Sequence, residues 1–314
     1  MKTFILGKVL SALAVIFVLT IIIFLMVRLL PGDTATIMLG AEGTPEQIEA
    51  VRAKYNLNEP LPNQYVAWLT NVFRGDWGVS FANRTPVMPL VLERLPRTLL
   101  LGSVSTALAL IVAIFFGVVS AAKHNSNTDL GISVGSLVLL SVPEFWMGVL
   151  FMLLFAVTIP ILPAGGYVRP DVDFGKFVLS MILPVATLTI HNIPPMIRLV
   201  RSSMLEVLRE DYITLALTKG NSPGRVYFVH ALRNSLIPIA TTISLLVTSL
   251  MAGVIVIEKV FQFPGIGLLL LNAIHVRDYP MIQACILIFS VIVVVINMLT
   301  DIVYAAIDPR IRFE

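Results

Sequence analysis

Residues 98–122, TLLLGSVSTALALIVAIFFGVVSAA, form a stretch without a single charged side chain. About 20 apolar residues are enough for a helix to cross the hydrocarbon core of a bilayer. Lipid offers no partners to unpaired backbone groups, and a helix satisfies those groups internally. The stretch does not alternate polar and apolar residues as the strands of a membrane barrel do. It is therefore predicted to be a transmembrane helix.

Five other apolar stretches are also long enough, so we predict an all-α membrane protein with about six transmembrane helices. The predicted spans are residues 9–30, 98–122, 131–159, 177–199, 235–257 and 282–306. The first span follows Lys2 and Lys8 and is too long for the apolar region of a signal peptide. No cleavage site follows it, so we expect an uncleaved helix.

The composition supports this fold class. Charged residues make up 13% of the 314, against roughly a quarter in a soluble domain, and the mean hydropathy is +0.90. Basic residues are spread over the loops, so nucleic acid is not an expected partner. The single cysteine, Cys285, excludes an internal disulfide and a cysteine-based metal cluster.

Lysine and arginine in the short connections predict the orientation. With the N-terminus inside, eleven of the 22 basic residues face the cytoplasm and four lie in short outer loops. The remaining seven fall in the long first loop, which crosses largely regardless of charge. Both termini are therefore predicted to be cytoplasmic. The predicted parts are a first helix (1–30), an outer cap (31–97), a five-helix core (98–306) and a tail (307–314), with an inner loop (200–234) inside the core.

The outer cap contains a helix-start signal. Thr44-Pro45-Glu46-Gln47 places threonine at the N-cap, proline at the first helical position and glutamine where it completes a capping box. The helix is predicted to run to about Tyr55, and Pro60 to Trp68 predict a second ordered piece. We expect a small folded cap.

The inner loop is predicted to be a helix, a tight turn and a second helix. The first helix runs through Tyr212, Ala216 and Lys219, and Gly220-Asn221 favours a left-handed C-cap. Ser222-Pro223 suits the N-cap and first position of the next helix. Compact structure here suggests a docking surface for a cytoplasmic partner, although an ordinary hairpin between two spans is the simpler alternative.

Motifs for catalysis and metal binding are missing from the sequence. It has no G-x-x-x-x-G-K-[ST] phosphate loop, no H-E-x-x-H and no G-x-S-x-G. The four histidines (His124, His191, His230 and His275) are far apart, and none pairs at ligand spacing. We predict no catalytic residue and no metal site, so another subunit must supply any ATP hydrolysis.

Ionisable residues at membrane depth are candidates for function because burying them is costly. Glu144 follows Pro143, which is expected to kink the third span, and its carboxylate could attract a cationic group. His191 precedes Pro194-Pro195, where an irregular helix is expected. Asp301 is expected to bond a neighbouring helix near the inner interface. Structural roles remain open for all three.

The fifth span carries a polar stripe. Thr241, Ser244, Thr248 and Ala252 recur at helical spacing, and an adjoining line holds Thr242, Ser249 and Gly253. Such residues can line a polar pathway or permit close helix packing, and both interpretations stay open. The residues predicted to line a pathway are Glu144, His191, Thr241, Ser244, Thr248 and Ser249.

Several blocks together resemble a known family. The strongest are residues 210–220 (EDYITLALTKG) and 230–238 (HALRNSLIP), and residues 30–33 (LPGD), 75–78 (GDWG) and 258–267 (EKVFQFPGIG) also match. The chain resembles a membrane permease subunit of the oligopeptide/dipeptide/nickel group of binding-protein-dependent ABC importers. The resemblance covers nearly the whole chain.

The resemblance implies a type I importer bundle in which the inner loop is a coupling helix that docks on an ATPase subunit. Thr214-Leu215-Ala216 stands where the general motif has Glu-Ala-Ala, so no ion pair is expected from Thr214. The coupling residues implied in this way are Asp211, Tyr212, Thr214, Leu215, Ala216, Lys219 and Gly220.

The resemblance also implies the assembly and its place. The partners are a second related permease, two cytoplasmic ATPase subunits that use ATP and Mg, an external binding protein and the lipid bilayer. This chain is expected to bind no cofactor itself and to lie in the bacterial inner membrane. Di- or oligopeptides are the first implied substrate; nickel or a nickel chelate, glutathione and opines are the alternatives.

Two function classes compete with this interpretation. An ion-coupled secondary transporter would use Glu144, His191 and Asp301 as ion sites, but no inverted repeat is visible. A membrane enzyme or a scaffold is the third possibility. The missing catalytic motifs argue against an enzyme, and the polar stripe argues against a scaffold.

Overall fold

The computed structural model describes residues 2–29, 34–39, 44–54 and 56–307. The side chains of residues 2–4, 34, 37, 38, 54, 236–247, 250 and 303–307 lie outside that description. The described part is helical apart from its connections and one isolated bridge between Val79 and Pro86. Its helices are α1 Lys2–Leu29, α2 Thr34–Leu39, α3 Pro45–Lys54, α4 Leu61–Phe73, α5 Val87–Ala122, α6 Asn127–Ser141, α7 Glu144–Met152, α8 Phe174–Val207, α9 Asp211–Thr218, α10 Pro223–Arg225, α11 Leu232–Val260, α12 Ile266–His275 and α13 Tyr279–Ile307.

The long helices lie at the predicted spans. Within the described residues, α1, α5, α8 and α13 are long and apolar enough to cross a membrane, and the pair α6 and α7 makes five if it counts as one span. The remaining predicted span, 235–257, lies in α11, which is 29 residues long. Most of the side chains in its first half are outside the description.

The third predicted span, 131–159, is not one helix. α6 and α7 meet at an angle of 90°, and Pro143 is the N-cap of α7 with φ −58° and ψ 139°. The expected kink is therefore a complete break, because a proline in this extended conformation cannot continue the helix before it. Beyond α7 the chain continues as a π-helical segment, Leu153–Thr158, which the sequence did not predict.

The prediction that the fourth span is irregular around Pro194-Pro195 was wrong. α8 is continuous over 34 residues and contains Pro184, Pro194 and Pro195. It packs against α5, α6, α7 and α11. Neighbouring helices on several sides hold a proline-containing membrane helix in shape, which is how such residues are tolerated there.

The hydrophobic core lies among α5, α8, α11 and α13. Leu101, Leu188, Val254 and Ile292 belong to one buried cluster there. Gly117 lets α5 approach α8 closely, because a Cβ at that position would lie 2.6 Å from the Cβ of Val200. α1 packs at the edge of the bundle against α13.

The outer cap begins as predicted. Thr44 N donates to Gln47 Oε1 at 3.0 Å, and Gln47 N donates to Thr44 Oγ1 at 3.3 Å, so the capping box is confirmed. The cap then rests on the first span, where Tyr65 Oη and Thr20 Oγ1 are 2.8 Å apart. Its last segment is held by Asp278, which accepts hydrogen bonds from Ser80 Oγ and, at 3.0 Å, from Phe81 N.

Candidate functional site

The inner loop is packed onto the ends of two long helices. Ile213 on α9 is buried together with Val118 of α5, Val200 and Met204 of α8, and Val226 in the π-helical turn that joins α10 to α11. Apolar side chains from four elements therefore share one cluster. A displacement of α9 has to move the ends of α5 and α8, or break this cluster.

Gly220 ends α9 in the predicted way. Its φ is +81°, which favours glycine. Gly220 N donates to Leu217 O at 3.0 Å and Asn221 N to Ala216 O at 3.4 Å, the two bonds of a Schellman motif. The predicted left-handed C-cap is therefore confirmed. Ser222 is the N-cap of α10 as predicted, although its side chain makes no capping bond.

The opposite face of α9 is exposed and partly apolar. Leu215, two residues from Ile213, is 53% exposed. Tyr212 is also exposed, and its hydroxyl accepts a hydrogen bond from Asn234 at 2.7 Å. The other predicted coupling residues on this surface are Asp211, Thr214, Lys219 and Gly220.

Ala216 is the exception, because it packs half-buried against the inner cluster. The exposed side of α9 therefore carries Tyr212 and Leu215 and not the small residue Ala216. Sequence reasoning missed Leu217, an exposed apolar residue four positions after Ile213 that lies on a different side of α9 from Leu215.

A buried ion pair next to the inner loop was also missed. Asp129 of α6 accepts hydrogen bonds from Arg201 Nε and Nη2, both at 2.8 Å, and from Ser120 Oγ at 2.5 Å. The local part of this arrangement had a sequence signal. Ser126 caps α6 by accepting a hydrogen bond from Asp129 N at 3.3 Å, the serine-to-acid spacing of a helix start.

Glu144 lies at the break between α6 and α7 and faces α11. One of its carboxylate oxygens, Oε1, is buried without a hydrogen-bond partner among the described residues. A Cβ at Gly253 would lie 2.6 Å from both carboxylate oxygens, so only glycine leaves room for this contact. The structure thus brings Glu144 onto the small-residue stripe of the fifth span.

The contacts of the other predicted pathway residues differ from one residue to the next. Thr248 Oγ1 donates to Asn297 Oδ1 of α13 at 3.3 Å, which supports the packing interpretation at that position. Ser249 is exposed, and the side chains of Thr241 and Ser244 lie outside the description. His191 on α8 has a buried Nδ1 atom without a partner in the described part of the chain.

Asp301 behaves as expected of a residue near an interface. Its carboxylate lies 2.7 Å from Lys8 Nζ on α1, with both side chains partly exposed. The pair joins the first and last spans. The structure gives Asp301 a structural contact and does not bring it to Glu144.

Glu258 is the most enclosed carboxylate of the described chain and was not among the predicted site residues. Its Oε1 accepts from Thr98 Oγ1 at 2.6 Å and its Oε2 from Leu268 N at 2.9 Å. A Cβ at Gly265 would lie 1.9 Å from Oε1. The FPGIG segment, residues 263–267, therefore wraps around this carboxylate at the start of α12.

Among the described residues, no group of three histidine, cysteine, aspartate or glutamate side chains could hold a metal ion. The described structure instead has an exposed, partly apolar surface on α9. It also has one carboxylate, Glu144, with a buried oxygen that has no partner, and one carboxylate, Glu258, whose oxygens both accept hydrogen bonds.

Comparison with known proteins places the chain in a family. Residues 113–313 match the model of a binding-protein-dependent transport system inner membrane component, and residues 1–102 match that of its N-terminal part. The oligopeptide transport system permease protein AppB of Bacillus subtilis is 39% identical over the full length of both chains. A probable peptide ABC transporter permease of Sinorhizobium fredii is also 39% identical, again over both full lengths.

A solved structure shows the same fold. The inward-facing MetNI methionine ABC transporter contains a chain that superposes with a TM-score of 0.60 at 16% identity, covering 71% of this chain and 98% of that one. The predicted type I importer bundle is confirmed.

The chain belongs to the family of binding-protein-dependent transport system inner membrane components. It is a multi-pass inner membrane permease subunit of an ABC importer, and its resemblance to the peptide permease group is confirmed. As a member of that family it is a transport subunit that works with other ABC components. The secondary-transporter, enzyme and scaffold alternatives are set aside.

Proposed function

We propose that the chain forms one half of a translocation pathway for di- or oligopeptides. The observation that carries the substrate class is the 39% identity to peptide permeases over full length. The second half is a related permease chain, and an external binding protein delivers the peptide. Both termini and the inner loop lie in the cytoplasm, as the distribution of basic residues predicts. Nickel, glutathione and opines remain the alternative substrates of the same group.

Glu144 supports the proposal of a peptide substrate, because its carboxylate suits the cationic amino terminus of a peptide. It lies within the spans, where an ionised group without a partner is costly and is typical of a substrate pathway. One oxygen is buried without a partner in the described structure. A peptide ammonium group would supply the missing partner during passage.

Two cytoplasmic ATPase subunits drive transport, and one of them docks on the exposed face of α9. ATP and Mg are bound there and not by this chain. Tyr212 and Leu215 supply the apolar contact, and the Gly220 turn fixes the direction of the helix. Closure of the ATPases pulls α9, and the shared cluster around Ile213 passes the movement to α5 and α8.

Co-purification of the ATPase subunits tests the docking face. The tagged permease is expressed together with the second permease and the ATPase subunits, and retained ATPase is quantified for Leu215→Arg and Gly220→Arg. Both variants are expected to lose most of the ATPase. Phe73→Arg is the matched control, because Phe73 is an exposed apolar residue in the outer cap. Full retention in both loop variants would refute docking at α9.

Gly220→Asn separates docking from folding of the turn. Asparagine tolerates the left-handed conformation better than arginine and adds less bulk. We expect Gly220→Asn to retain more ATPase than Gly220→Arg.

An uptake measurement tests the substrate class independently. Uptake of di- and tripeptides by the unmodified complex is compared with its uptake of nickel and of glutathione.

A further inference from the structure

A groove between α6 and α8 is open in the described structure. Its volume is about 210 Å³. Arg198 and Arg201 lie at one end, and the rest of the lining consists of Ser133, Ser136, Leu137, Leu140, Pro194 and Ile197. The hydroxyl of Ser136 donates to Ile132 O of its own helix at 2.7 Å. The groove is therefore basic at one end and mostly apolar along its length.

The ion pair between Asp129 and Arg201 fixes the depth of each end. Asp129 lies in the first turn of α6, next to the inner loop, so the basic end faces that side of the membrane. Leu140 lies eleven residues farther along α6, which corresponds to about 16 Å of helix. Charge at the membrane surface and apolar walls at greater depth match the charged headgroup and the apolar acyl chains of a phospholipid.

Arg198 gives the basic end its net positive charge. The charge of Arg201 is balanced by Asp129. Arg198 is exposed and forms no ion pair with any residue that the structure describes. It lies three residues before Arg201, on the same side of α8. An anionic group at the mouth of the groove would complete this arrangement.

A helix of a second permease is a less suitable occupant. It would fit the apolar walls, but it would also bury Arg198 without an opposite charge, which is strongly unfavourable. Basic pockets between transmembrane helices at the membrane surface are typical sites for anionic lipid headgroups. The charge and the depth profile together favour lipid.

We propose that the groove binds one anionic phospholipid in the leaflet on the inner-loop side. Its phosphate lies at Arg198, and an acyl chain follows Leu137 and Leu140. The lipid joins α6 to α8 next to the cluster that holds α9. This site depends neither on the peptide substrate nor on ATPase docking at α9.

Native mass spectrometry of the purified complex tests the proposal. The complex is mixed with equal amounts of phosphatidylglycerol and phosphatidylcholine that carry the same acyl chains, and retained lipid is counted. We expect phosphatidylglycerol to be preferred and Arg198→Gln to reduce its retention about fivefold, since one basic residue near the surface contributes about that factor. Retention of phosphatidylcholine is expected to stay the same.

Arg209→Gln is the charge-matched control, because Arg209 is exposed outside the groove. Equal retention of the two lipids, or equal behaviour of Arg198→Gln and Arg209→Gln, would overturn the proposal. Cross-linking of Leu137→Cys to the second permease in native membranes would also overturn it and assign the groove to a protein interface.

A second pair of variants tests the groove without changing charge. Leu137, which lines it, is 59% exposed, and Val138, which does not, is 60% exposed. Leu137→Trp is expected to fill the groove and lower phosphatidylglycerol retention, whereas Val138→Trp leaves it unchanged. This pair decides the question if Arg198→Gln fails to assemble, and equal retention in both variants would refute the site.

Discussion

Glu144 of α7 faces Gly253 of α11, and Glu258 lies five residues farther along α11. The surroundings of the two carboxylates are opposite. Glu258 is fully buried and accepts hydrogen bonds from Thr98 and from the backbone of Leu268. Glu144 has a buried oxygen without a partner in the described residues. A buried carboxylate with donors holds a fold together, whereas one without donors is available for a ligand.

Removal of Glu258 is expected to have the largest effect. Glu258→Ala leaves the hydroxyl of Thr98 and the amide of Leu268 buried without their acceptor. An orphaned buried donor costs about 1–3 kcal/mol, so we expect a loss of about 3 kcal/mol in the free energy of unfolding. Thermal unfolding of the purified complex in detergent measures it.

Glu93→Ala is the control for Glu258→Ala. Glu93 is an exposed carboxylate of α5 that pairs with the less exposed Arg97, and a pair whose carboxylate is open to water contributes little. If the two variants unfold at the same temperature, the hydrogen bonds around Glu258 do not stabilise α12.

Asp129→Asn is expected to be the next most destabilising change. It leaves the charge of Arg201 without its carboxylate, and breaking a fully buried pair costs about 3–5 kcal/mol. The side chain of Arg201 is 27% exposed, so water offsets part of this cost and we expect about 2 kcal/mol. The change in unfolding temperature measures the effect.

Asp171→Asn provides the comparison for Asp129. Asp171 forms the same type of ion pair with Arg169, but both side chains are exposed in the loop before α8. We expect no measurable change in unfolding temperature there. Equal destabilisation by both substitutions would show that burial does not decide the strength of these pairs.

Glu144→Gln is expected to change transport and not stability. The substitution removes a charge that has no described partner, so unfolding should stay the same or shift slightly upward. Uptake of peptides with a free amino terminus is expected to fall about tenfold, equivalent to one lost interaction of about 1.4 kcal/mol. The ratio of variant to unmodified uptake for free and N-acetylated forms of one peptide measures this effect.

Glu206→Gln at the exposed end of α8 is the control for the loss of one charge. If the free and N-acetylated peptides lose uptake equally in Glu144→Gln, the carboxylate does not recognise an amino terminus. A loss of thermal stability would instead give Glu144 a structural role like that of Glu258.

The sequence was sufficient to predict features that depend on residues close together in the chain. The capping box at Thr44 and Gln47 and the turn at Gly220 depend on residues within one or two helical turns. Apolar runs likewise located the spans, because crossing a bilayer requires about 20 residues in one stretch. Glu144 was found because one ionisable residue stands out in an apolar run.

Contacts between distant residues could not be predicted in this way. Thr98 and Glu258 are 160 positions apart, and Asp129 and Arg201 are 72 positions apart. Hydropathy shows where each helix lies but not which faces meet. The break at Pro143 was expected only as a kink, because a proline shows that a helix is disturbed but not by how much.

Thr248→Val is expected to have the smallest effect and tests the two interpretations of the polar stripe. Thr248 donates to Asn297 at 3.3 Å, and such bonds between membrane helices contribute about 0.6 kcal/mol on average. We expect a loss of that size with unchanged peptide uptake, since valine has nearly the same shape. A double-mutant cycle with Asn297→Leu, measured by thermal unfolding, isolates the bond. Reduced uptake without a coupling energy would place Thr248 in the pathway beside Glu144, whereas a coupling energy with normal uptake assigns it to packing between α11 and α13.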